Sequence, residues 1–111
     1  MKITQDRFEF YIGDYVWEVV CLPPHDTRLL KDGEHCWGLT DFDNYTIFLD
    51  KNMTSQKLNE TLIHELTHVY LRSTTTSIST EKEFCDFVAR WGGMIMHIKQ
   101  WFFEECVDME E

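Results

Sequence analysis

Basic side chains are scarce in this chain. Ten Lys and Arg stand against twenty Asp and Glu, which leaves a net charge of −10 over 111 residues. That balance repels a phosphate backbone or an anionic membrane surface, and no basic cluster opposes it, so nucleic-acid binding is not expected. Long apolar runs are missing too. The most apolar stretch, 84–103, is broken by Asp86, Arg90, His97, Lys99 and Gln100, which excludes a membrane span there. The opening Met1-Lys2-Ile3-Thr4-Gln5-Asp6-Arg7 is polar and has no secretory leader, so a cytoplasmic setting is expected. Cys21, Cys36, Cys85 and Cys106 form no C-x-x-C pair. They are expected to be reduced and packed as small apolar residues, with neither disulfides nor a cysteine-based zinc site.

The length suits one domain, 1–111, with a modest core and no internal repeat. Eight Phe, four Trp and four Tyr are many for that length, and core packing is the plain use for most of them. The first half alternates in the manner of strands. Residues 8–12 and 15–20 flank Gly13-Asp14, a hairpin turn, and Pro23-Pro24 ends the second run. Residues 25–34 read as a loop or a short irregular helix. A second hairpin pairs 36–40 with 45–49 around Asp41-Phe42-Asp43-Asn44.

The second half is helical. Leu58, Leu62, Leu66 and Val69 recur at helical spacing over about 54–72, with Thr54 or Ser55 as N-cap. A polar loop covers 73–80. Thr80 then starts a second helix to about 106, and Glu83 three residues on completes a capping box. Gly92-Gly93 marks a kink or a close helix crossing in it. The acidic tail, with Glu104, Glu105, Asp108, Glu110 and Glu111, reads as a fraying terminus. The expected fold is α+β: a small antiparallel or mixed sheet packed on these two helices.

The first helix carries His64-Glu65-Leu66-Thr67-His68. Residues four apart share a helix face, so His64 and His68 can present both imidazoles to one metal ion. Glu65, at the edge of that face, can take a proton from water activated by that metal. The pattern therefore proposes Zn²⁺ and hydrolysis together. A catalytic zinc commonly has three protein ligands, and the third must come from elsewhere. Glu83 is favoured by reach and ligand type, in competition with its own capping role. Glu81 is the alternative, and His25, His35 and His97 are the remaining histidines. Asp86 is a candidate to orient a ligating imidazole. Tyr70, Tyr45 and His97 are oxyanion candidates by type alone.

The strand-rich first half, the HELTH helix and the following Glu81-Lys82-Glu83-Phe84-Cys85-Asp86-Phe87-Val88-Ala89 resemble the ImmA/IrrE family of small gluzincin metallopeptidases and their phage-encoded relatives. The resemblance covers most of 36–91. It implies a zincin-like fold, Glu83 as third zinc ligand with Phe87 as the matching aromatic, and a protein or peptide substrate such as a regulator. The chain departs from the family in having Phe84-Cys85 where Ala-Asn is frequent. It also has Phe87 where larger thermolysin-like enzymes have an aspartate. A monomer is expected, with a substrate strand added at a sheet edge, for which 45–49 is the candidate. Two other readings follow from the same residues: a non-catalytic, zinc-stabilised partner-binding protein, and a SprT-like zincin with a different third ligand.

Overall fold

A computed structural model describes residues 1–74 and 76–109. Among the described residues there are eight strands: β1 (Lys2–Ile3), β2 (Arg7–Ile12), β3 (Tyr15–Leu22), β4 (Leu30–Lys31), β5 (Glu34–His35), β6 (Gly38–Asp41), β7 (Thr46–Asp50) and β8 (Val107–Asp108). The helices are α1 (Ser55–Ser73), α2 (Glu81–Phe87) and α3 (Gly93–Cys106), with a π-helical segment, Val88–Gly92, joining the last two.

The central sheet has four strands in the order β2-β3-β7-β6. Both expected hairpins form, with β2 antiparallel to β3 and β6 antiparallel to β7. Their union is parallel: β3 pairs with β7 from Glu18↔Thr46 to Leu22↔Asp50, so the sheet is mixed. Gly13 adopts φ +59° at the first central position of the β2–β3 turn, a conformation that glycine reaches without steric cost. In the β6–β7 turn the Asp41 carboxylate accepts from the backbone N–H groups of Asp43 and Asn44. That is the local side-chain bond that makes aspartate a turn former.

Alternation along the strands sorts the side chains into two layers. Phe8, Phe10, Trp17, Val19, Cys21, Ile47 and Leu49 face the helices and pack with Leu58, Leu62, Leu66 and Val69 of α1 and Ile95, Ile98 and Phe102 of α3. Each fully buried leucine contributes roughly 1.5–3 kcal/mol. On the opposite face Val20, Leu22 and Leu29 form a smaller cluster with Phe48. It is covered by the 25–34 excursion, which folds as a 3₁₀ turn at Thr27–Leu29, capped by Asp26, and the two-residue strands β4 and β5.

Three expectations need correction. The second helix is not continuous, because the backbone widens to π geometry over Val88–Gly92, just ahead of Gly93. The acidic tail does not fray through 108: β8 pairs with β1, and Thr4 N–H donates to the Cys106 carbonyl. Val107 also packs on the core, and that burial ties the segment down. Glu110 and Glu111 lie outside the described residues, as does Thr75 of the polar loop. Lastly, not all the cysteines are packed. All four are free, but Cys85 is exposed and Cys36 is half-buried, whereas Cys21 and Cys106 are buried. Among the described residues no helix is long and apolar enough to cross a membrane.

Candidate metal and hydrolytic site

Thr54 caps α1, its hydroxyl accepting from Lys57 N–H, and the leucine stripe turns one face of the helix into the core. His64 and His68 consequently stand on the open face, both exposed. Their Nε2 atoms lie 3.0 Å apart, with the rings nearly perpendicular at 79°. Two tetrahedral zinc ligands at about 2.0–2.1 Å from the metal would sit about 3.3 Å apart. The pair, now at hydrogen-bond distance, therefore needs a shift of only about 0.3 Å to share one ion.

Glu65 is placed differently. It lies at the boundary between the open face and the core and is only 8% exposed. Its Oε2 is 4.0 Å from His64 Nε2, and its Oε1 accepts a 2.9 Å hydrogen bond from the Thr40 hydroxyl on β6. This contact spans 25 residues of chain and depends on Gly38. A Cβ at Gly38 would come within 2.6 Å of Thr61 Cγ2 and 3.0 Å of Glu65 Cγ. Glycine there lets strand and helix approach closely enough for the bond to form. Neither Thr40 nor Gly38 carries a sequence signal for this role, since the pairing arises only when β6 packs on α1. A shallow cleft of about 380 Å³ opens beside the site, with Trp37, Gly38, Thr61, His64 and Glu65 among its walls.

Glu83 is occupied by its cap. Thr80 Oγ1 accepts from Glu83 N–H, and the Ser79 and Thr80 hydroxyls donate to Glu83 Oε1 at 2.9 and 3.0 Å. Those bonds favour the ionised carboxylate and lower its pKa, the Ser79 hydroxyl contributing most. Among the described residues, no three His, Cys, Asp or Glu side chains gather closely enough to hold a metal ion. The histidine pair thus fits two positions of a zinc site, and Glu83, the third ligand expected from sequence, is bonded to Ser79 and Thr80 instead.

The other candidates are dispersed. Asp86 bonds Lys82 at 2.7 Å on the exposed side of α2 and, among the described residues, orients no imidazole. Tyr70 is buried against Trp91, two residues past His68 and so off the histidine face. His97 is exposed and packs on Trp101. Glu81 is an exposed first-turn acid. His35 bonds the buried Asp50 at 2.7 Å, and His25 lies beside that pair. Thr67 is a spacer in the motif, its hydroxyl donating to the Ile63 carbonyl one turn back. The strand at 45–49 is not a free edge: β7 is paired on both sides, and the edge beside α1 is β6. Compared with protein-family models, curated proteins and solved structures, the chain matches none.

Proposed function

We propose that this protein is a zinc-dependent peptidase in which His64 and His68 hold the metal, Glu83 completes the protein ligands and Glu65 is the general base. One observation carries the reading. A carboxylate is held in a nearly closed setting, fixed by a single hydroxyl, beside two imidazoles spaced for one ion. A helix needs no such group for stability, since a buried carboxylate costs free energy unless its bonding offsets it. When bound, zinc acts as a Lewis acid and brings the pKa of water down to about 7.

The chain's own residues supply the rest. Thr40 binds Oε1 and leaves Oε2, on the His64 side, to accept the proton from attacking water and return it to the leaving amine. Glu83 would hold the metal only on giving up its Ser79 and Thr80 hydroxyl bonds. The open edge of β6 offers main-chain groups to an extended peptide, which replaces the 45–49 edge considered from sequence. The likeness of the HELTH helix and of the Glu83 stretch to ImmA/IrrE-type gluzincins supports the same assignment. With it come a zincin-like fold, a cytoplasmic monomer, and a protein or peptide substrate such as a regulator.

The experiment is zinc content and peptide hydrolysis for wild type, Glu65→Gln and Glu83→Gln. Glu65→Gln should keep zinc and lose hydrolysis by about 10²–10⁴-fold, the usual worth of a positioned base. Full zinc retention in Glu83→Gln would remove that ligand. A second reading, a zinc-tied binding protein without turnover, uses the same ligands and gives Glu65 no catalytic part. It predicts that Glu65→Gln changes nothing measurable.

A further inference from the structure

Beyond His68 the surface opens into two joined clefts. The nearer is lined by Phe42, His68, Leu71, Arg72 and Thr76. It shares Phe42 and Arg72 with a second cleft of about 390 Å³, walled chiefly by Tyr15, Trp17, Phe42, Tyr45 and Arg72. Trp17 forms the floor, edge-to-face with Phe42 and with Tyr45 at centroid distances of 5.9 and 5.3 Å. Tyr15 stacks on Tyr45 at 5.3 Å, yet the two residues remain 59% and 40% exposed. Tyr45 is held at φ +51°, a strained backbone for a bulky side chain, and this turns its ring to the cleft that it lines. The Arg72 guanidinium carbon sits 4.0 Å from the Phe42 centroid. A guanidinium is flat and has two faces, so with one on Phe42 the other can stack on a second ring, which a lysine ammonium would not do. Asp14 on the rim balances Arg72, so the cleft selects by ring rather than by net charge.

The position along the helix sets the register. His64, His68 and Arg72 follow at intervals of four on one face of α1, which places Arg72 about 6 Å beyond His68. An extended peptide covers that distance in about two residues. We propose that this cleft is the subsite for an aromatic side chain of the substrate, received between Tyr45 and the Arg72 guanidinium about two residues from the bond that is cut. The proposal rests on His64, Glu65 and His68 as the reacting centre.

The test separates the subsite from the chemistry. End-blocked, alanine-based hexapeptides carrying one Phe, cyclohexylalanine or Ala are titrated calorimetrically into the Glu65→Gln protein. The Phe peptide should bind at least tenfold tighter than the Ala peptide and at least threefold tighter than the cyclohexylalanine one. Arg72→Ala should erase the preference for Phe over cyclohexylalanine, whereas Tyr45→Phe should preserve it, with circular dichroism confirming the fold of each variant. Equal affinity for Phe and Ala peptides, or a ring preference that survives Arg72→Ala, overturns the subsite. Wild-type hydrolysis is read in parallel. Cleavage indifferent to the ring discards the subsite and keeps the peptidase. Ring-selective binding without cleavage keeps the subsite and discards the peptidase.

Discussion

A hydrogen bond between Thr40 and Glu65 joins the outer strand to the motif helix, and its worth can be measured. Bonds to charged groups contribute about 1.5–3 kcal/mol, so loss of this one should lower kcat about tenfold or more. Thr40→Val should do so with zinc content unchanged, and Thr40→Ser should restore most of the rate. Such rescue would mark Thr40 as a positioning residue rather than a packing one. Gly38→Ala tests the close approach below it. A Cβ 2.6 Å from Thr61 Cγ2 and 3.0 Å from Glu65 Cγ forces those side chains, α1 or β6 to shift, so urea denaturation should show about 1–3 kcal/mol of lost stability. The buried thiols give a pH test. Burial pushes Cys21 up to about 12 and Cys106 up to about 11, from an ordinary value of 9.0. A raised folded pKa favours the protonated, folded form. Its contribution is complete below pH 9 and is lost as pH rises from there through 11–12. Alkylation at pH 8 should therefore modify the exposed Cys85 first and reach Cys21 and Cys106 only on unfolding, as mass spectrometry would show.

At the scale of elements, the start of α2 holds the competition that sequence exposes and cannot resolve. Thr80-x-x-Glu83 is legible as a capping box, and the cap forms. The same carboxylate is the favoured third ligand, and a side chain makes one set of bonds at a time. Ser79→Ala removes one hydroxyl from Glu83 and leaves the Thr80 cap intact, so zinc affinity should rise several-fold in a competitive chelator titration. Unchanged affinity would mean that Glu83 is not recruited. The π segment at Val88–Gly92 shows a related limit. The paired glycines signal weak helix, but where the backbone widens depends on how α3 packs against β2 and α1.

Across the whole molecule, the metal should act as a staple between α1 and α2. Under the proposed ligation zinc would bind the folded state alone, because the His64–His68 spacing exists only on the folded helix. At a hundred times Kd it should add about 2.7 kcal/mol, raising Tm in a calorimetric scan, with EDTA reversing the gain. A Tm indifferent to zinc would contradict any resident site. Local patterns were enough to place both hairpins, α1 with its cap at Thr54 or Ser55, and His64 and His68 on one helix face. Each follows from periodicity or turn chemistry within a few residues. Tertiary structure alone decided that β3 and β7 run parallel, that β6 is the open edge and that β8 returns to β1. It alone brought Thr40 and Gly38 to Glu65, and Tyr15, Phe42, Tyr45 and Arg72 around one cleft. Short-range signals encode which face of an element is apolar. They do not encode which distant face will cover it, because that depends on the core shared by all the elements.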